Sequence, residues 1–140
     1  MIMNLDHDTR AQALVTRPVV YVHPNDSLRR VAETFVEESI GAALVRGPHG
    51  AIGLVSERDV VRAIAEGADP TRMRVDEIMN EDVITIAPND DLLDAAHEML
   101  DAEVRHLPIV EDGVVGGMLS ARDALRALVE LREEAAVGQS

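Results

Sequence analysis

The chain has 140 residues, 46% of them apolar, and its 26 acidic against 13 basic side chains give a formal charge of −13. That is the size of one globular domain with a single shared core, and the charge excludes nucleic acid and anionic membrane surfaces as partners, because it repels the phosphates on which both attractions depend. No apolar run approaches the roughly 18 residues of a membrane span, no basic-then-apolar leader opens the chain, and the absence of cysteine excludes disulfides, thiolate nucleophiles and thiolate zinc sites; the default location is the cytoplasm.

Residues 1–9 have no period and are expected to be a flexible end. Ala11, Leu14 and Val15 suggest a short helical turn. Val19-Val20-Tyr21-Val22 is a β-branched run closed by Pro24 and reads as a strand. Asn25 or Asp26 is the expected N-cap of a helix whose apolar stripe is Leu28, Val31, Ala32, Phe35 and Val36. Gly41 interrupts it. Ala42 to Val45 predicts a second strand, Gly47-Pro48-His49-Gly50 a turn, and Ile52 to Val55 a third strand. Ser56 opens a second helix with apolar positions Val60, Val61, Ile64 and Ala65, and Gly67 to Thr71 stops it.

The chain then repeats itself. Gly53, Ser56 and Asp59 return 64 positions later as Gly117, Ser120 and Asp123, and Val19 aligns with Val83, Pro24-Asn25-Asp26 with Pro88-Asn89-Asp90, and Arg62-Ala63 with Arg126-Ala127, without a gap. The second copy has a turn at Val75 to Met79, a strand Val83-Ile84-Thr85-Ile86, a helix Asp90 to Ala102, a strand His106 to Val110, a hairpin at Asp112-Gly113, a strand Val114 to Leu119 and a helix from Ala121. Two copies of one supersecondary unit, each too small to bury its apolar face alone, share a core. The fold class is α/β (α+β), two β-α-β-β-α repeats over residues 10–71 and 72–132, with 133–140 a second flexible end.

Ser-x-x-Asp at a helix start is a capping box, in which the Ser accepts from the first turn and the Asp reaches back to the cap. A carboxylate has about four lone-pair sites, so Asp59 or Asp123 can cap and still accept two hydroxyls of a sugar. With one Phe, one Tyr and no Trp, a planar ligand must be gripped mainly by aliphatic side chains and backbone. His97 stands with Asp94 and Asp101 at helical spacing on a polar, solvated face, in no recognised metal pattern. His7, His23 and His49 lie in tail or loops. No nucleophile has an activating base, so an enzyme is not expected.

The repeated unit resembles the cystathionine-β-synthase (CBS) domain, and the chain, over roughly Arg10 to Arg132, looks like one tandem pair, the Bateman module of stand-alone bacterial two-CBS proteins. The residues that carry the likeness are Val75 to Met79, Val83 to Ile86 with Pro88, Arg105-His106-Leu107-Pro108-Ile109-Val110 and the two Gly-x-x-Ser-x-x-Asp stretches. The first copy departs at Leu14-Val15-Thr16 and at Gly41 to Leu44. The resemblance implies two repeats about a pseudo-twofold axis with two clefts that hold AMP, ADP, ATP or S-adenosylmethionine, with no required cofactor. One cleft would combine Ser56, Arg58 and Asp59 with Ile84, Thr85, Arg105 and His106. The other would combine Ser120, Arg122 and Asp123 with Val20, Tyr21 and the Gly41-Ala42 corner.

A phosphate on so acidic a chain needs local cations. Arg105 and His106 offer them to the first set and Gly41 and Ala42 offer none to the second, so a phosphorylated ligand is expected at Ser56 and Asp59. Arg105 as a surface ion pair and His106 as a strand filler is the competing reading. The function expected is a regulatory module that senses an adenosine compound and acts on a protein target, as a homodimer joined through its helices. The alternative is a dimerising scaffold with degenerate clefts.

Overall fold

The computed structural model describes residues 10–11 and 18–138. They form a mixed α+β fold of two compact units, one spanning Val19–Val83 and one in which Arg10 and Ala11 join the residues from Ile84 onward. The expected turn residues Leu14 and Val15, and residues 1–9, lie outside the described residues.

The first unit contains β1 (Tyr21–Val22), α1 (Leu28–Glu38), β2 (Ala42–Gly47), β3 (Gly50–Ser56) and α2 (Glu57–Ala65). Its sheet has the order β1-β2-β3, with β1 parallel to β2 and β2 antiparallel to β3. One face carries Val22, Ala43, Val45 and Val55, which pack with Leu28, Val31, Phe35, Val60 and Ala63 from the helices. The sheet face and the amphipathic helices bury their apolar sides in each other, which is the driving force for the unit.

The second unit contains α3 (Leu92–Ala102), β4 (His106–Glu111), β5 (Val114–Ser120) and α4 (Ala121–Val137). Its hairpin closes over Asp112 and Gly113, at φ 51 and 77, which is the two-residue turn that matches strand twist. Its core of Ile86, Ala95, Met99, Leu107, Ile109 and Leu119 includes Ala11 from the other end of the chain.

The lead-in of each repeat therefore packs on the other repeat's unit. Val75 N–H donates to the Asp26 carbonyl and Ala11 N–H to the Asp90 carbonyl, both at 2.8 Å, the same bond at the same repeat positions. A short 3-10 turn, Val75–Glu77, follows Arg74, and Asn80 then bridges Leu54 of β3. Gly53 makes this possible: a Cβ there would lie 2.7 Å from the Met79 sulfur and 3.1 Å from the Asn80 carbonyl oxygen. The packed units thus divide at 83/84, whereas the sequence repeat was divided at 71/72.

Several local expectations are corrected. The N-cap of α1 is Ser27, whose hydroxyl accepts from Arg30 N–H at 3.1 Å, while Asp26 turns back to accept from His23 N–H. The cap of α3 is likewise Asp91, one residue after Asp90. Gly41 does not end α1. Ser39 does, in the left-handed region at φ 54, and Glu103 ends α3 in the same way at φ 56. Val36 leaves the buried stripe, as do Val61, Ile64 and Ala65 in α2, where Val60 is buried as expected and Ala63 joins it. The strand expected over Val83 to Ile86 is reduced to one bridge, Ile86 with Ile109. Residues 133–137, expected to be a flexible end, continue α4.

Candidate functional site

Each unit presents a capping box where its hairpin runs into its last helix. In the first, Ser56 N–H and Ser56 Oγ–H both donate to Asp59 Oδ2, at 2.8 and 2.9 Å, and Asp59 N–H donates to Ser56 Oγ at 3.3 Å. In the second, Ser120 N–H donates to Asp123 Oδ2 and Asp123 N–H to Ser120 Oγ, each at 3.0 Å. Both carboxylates sit at a helix N-terminus, where the macrodipole favours negative charge. Both are half-buried.

The boxes differ in what they leave over. Asp123 Oδ1 faces the Arg126 guanidinium at 3.6 Å. Asp59 Oδ1 has no partner among the described residues, although Arg62 occupies the position equivalent to Arg126. A carboxylate oxygen held rigidly by its twin's hydrogen bonds, yet itself unclaimed, is an acceptor ready for a vicinal diol.

In the second unit His106 pairs across the hairpin with Ser120, and the Arg105 carbonyl accepts from Ala121 N–H at 2.7 Å. The structure therefore brings Arg105, His106, Ser120 and Asp123 into one corner. Burial pushes the His106 imidazole below its ordinary pKa, with Asp123 opposing that shift and Arg105 adding to it. His106 is then neutral at pH 7, and Arg105, which is exposed, remains the cation of this corner. Arg122 and Arg58 are exposed in the first turns of α4 and α2, and neither makes an ion pair among the described residues.

The two leading segments are also unequal. Leu44 N–H donates to the Val20 carbonyl at 3.0 Å and Tyr21 pairs with Leu44, so the sheet claims that carbonyl. Ile84 and Thr85 are exposed, and their backbone groups make no hydrogen bond among the described residues. Their N–H and C=O groups can read the edge of a planar ring.

Sequence reasoning missed Arg46, whose guanidinium carbon lies 3.6 Å from the centroid of the Tyr21 ring. The set containing Val20 and Tyr21 thus has a cation after all, though not at Gly41 or Ala42. A charged residue breaking the apolar run Ala42 to Val45, where the second copy has Val110, was the available signal. The exposed residues His97, Asp94 and Asp101 lie on the outer side of α3.

The model of the CBS domain matches the chain twice, over residues 11–66 and 75–130. The chain belongs to the CBS domain family. Among CBS proteins it is similar to the mitochondrial CBS domain-containing protein CBSX3 of Arabidopsis thaliana, 32% identical over 117 residues that make up 79% of this chain and 57% of that one. Among solved structures it is similar to the CBS-domain containing protein ATU1752 from Agrobacterium tumefaciens, with 30% identity and a TM-score of 0.82 over 89% of this chain and 98% of that one. The CBS domain protein PAE2072 from Pyrobaculum aerophilum, solved in complex with AMP, is 31% identical, with a TM-score of 0.78 over 89% of this chain and 98% of that one. The chain spans only 39% and 35% of the length of curated relatives from Methanocaldococcus jannaschii and Thermofilum pendens. Among the described residues, no helix is long and apolar enough to cross a membrane.

Proposed function

We propose that this CBS pair is a regulatory module that binds an adenosine-containing ligand, AMP, ADP, ATP or S-adenosylmethionine, and passes a change of conformation to a partner protein. The observation that carries the reading is Asp59, whose Oδ2 is locked by Ser56 while its Oδ1 stays unclaimed among the described residues. The complex of a 31%-identical relative with AMP supports the ligand class.

Asp59 and Asp123 accept the ribose hydroxyls in this reading. Ser56 and Ser120 hold those carboxylates, and Val20, Tyr21, Ile84 and Thr85 line the base. Arg58, Arg105 and Arg122 meet phosphates, and neutral His106 packs beside them. Regulation needs no bond to be made or broken; it requires only that the ligand bind two arrangements of the protein unequally. The proposed setting is the cytoplasm.

Thermal unfolding with each ligand tests the reading. A ligand at 100 times its Kd adds about 2.7 kcal/mol, which raises Tm by about 5–10 °C for a chain of this size. Asp59→Asn removes most of that shift, and Arg105→Glu removes the part that depends on phosphate. A flat response to the whole panel overturns the proposal.

A second reading, a dimerising scaffold, is favoured by a specific pattern. Val36 and Leu100 are 80% and 74% exposed, Val61 and Leu125 66% and 61%, and each pair occupies equivalent positions of the two repeats. Aliphatic side chains exposed at the same places on both units suit a helical interface between two copies. Sedimentation as a 15 kDa species at micromolar concentration, against the chain mass of 15.2 kDa, would remove the homodimer from either reading.

A further inference from the structure

Both hairpins shift register at the same repeat position, Val45/Arg46 in the first unit and Ile109/Val110 in the second. The shift skips Ile52 of β3 and Gly116 of β5, while on β2 Arg46 keeps the side of Leu44, whose parallel neighbour is Tyr21, and its guanidinium stacks on the Tyr21 ring. The second unit builds the same irregular hairpin with Val110 and Thr85 at these positions. The fold therefore does not require the stacked pair.

Arg46 is exposed and makes no ion pair among the described residues, on a chain with 26 carboxylate side chains. A guanidinium lying over a ring spends its face on the aromatic surface and keeps its N–H edge for an oxyanion, which it can grip with two parallel hydrogen bonds. Holding the side chain in place beforehand also reduces the rotamer freedom lost on binding. Tyr21 is half-buried and already among the residues assigned to the ligand.

We infer that Arg46, held on the Tyr21 ring, is the anion contact of the first unit and makes the protein favour an adenosine ligand bearing phosphate over one without it. This rests on the adenosine-binding reading, and the experiment separates the two. Tyr21 is the single tyrosine in a chain without tryptophan, so tyrosine emission reports on this position alone.

The wild type, Arg46→Gln and Arg46→Lys are titrated with AMP, adenosine and pyrophosphate by calorimetry and by tyrosine emission. Losing one charge-assisted pair weakens AMP about 10- to 100-fold in Arg46→Gln, with partial recovery in Arg46→Lys, while adenosine affinity stays unchanged. Unchanged AMP affinity in Arg46→Gln overturns the inference. So does an equal loss for AMP and adenosine, which would mark a merely structural role. If the wild type binds pyrophosphate with an Arg46-dependent change in emission, but neither adenosine nor AMP, the adenosine reading fails and the anion contact stands. Binding of none of the three sinks both.

Discussion

The two units share a hairpin with the same register shift, a left-handed end to the helix before it, at Ser39 and Glu103, and the same capping box, yet they distribute charge in opposite ways. The second unit puts its cation at the start of the hairpin, at Arg105, and draws Arg126 toward Asp123. The first begins its hairpin on Gly41 and Ala42, carries its cation near the turn at Arg46, and leaves Asp59 Oδ1 open among the described residues. The first unit also completes a three-stranded sheet, whereas the second has two strands and a bridge. Tyr21 beneath Arg46 adds a contact across β1 and β2 that Thr85 and Val110 cannot make. Duplication thus preserved the backbone, which the core enforces in both copies, while side chains off the core diverged in chemistry.

The comparison breaks most visibly in the cores. Leu28 and Leu92 are equivalent and 0% and 1% exposed. Leu28 packs in the main cluster of its unit, whereas Leu92 packs with Ala124 and Ala127. Truncation to Ala costs about 2–5 kcal/mol in such sites, and Leu28→Ala is expected at the upper end and Leu92→Ala at the lower in urea unfolding. Equal losses would mean the units are equally packed.

Gly53→Val is next. Its added methyls meet Met79 and the Asn80 carbonyl, at an expected cost of about 1–3 kcal/mol. Met79→Ala in the same chain should recover part of that loss, because the sulfur is the nearest obstacle. No recovery would show that the lead-in of the second repeat does not press on β3.

Smaller effects separate the capping boxes. Ser56→Ala and Ser120→Ala each remove a cap worth about 1 kcal/mol. Ser56 should cost more, since its hydroxyl also donates to Asp59 at 2.9 Å whereas, among the described residues, the Ser120 hydroxyl only accepts, from Asp123 N–H at 3.0 Å.

The least effect is a slope. Because His106 binds its proton less tightly folded than unfolded, its contribution is complete above its ordinary pKa of about 6.5 and is lost as pH falls below that value toward the folded pKa. The stability of the wild type relative to His106→Gln should therefore fall as pH drops below about 6.5. A constant difference would show that burial does not perturb the imidazole.

Much of the fold was legible because it rests on local chemistry written twice. Ser56-x-x-Asp59 and Ser120-x-x-Asp123 are capping boxes as the spacing predicts, and Asp112-Gly113 is the expected turn. The failures share a cause. Ser27 wins the N-cap from Asp26 because the Asp26 side chain turns back to His23, three residues away, while its carbonyl accepts from Val75, which is distant in sequence. Val83 to Ile86 matches Val19 to Val22 in β-branched content, so composition could not show that only one forms a strand; pairing depends on what lies across the sheet. Arg46 went unremarked because its partner, Tyr21, is brought beside it only when β1 pairs with β2.

The sequence by itself determined the repeat, the order of the elements, the family and the two aspartates at helix N-termini, because periodicity, turn residues and capping act within a few residues of one another. Only the tertiary structure decided that each lead-in segment packs against the other repeat's unit, that His106 is held neutral and that Arg46 rests on Tyr21. Those outcomes depend on burial and on neighbours brought together by folding, which spacing along the chain does not encode.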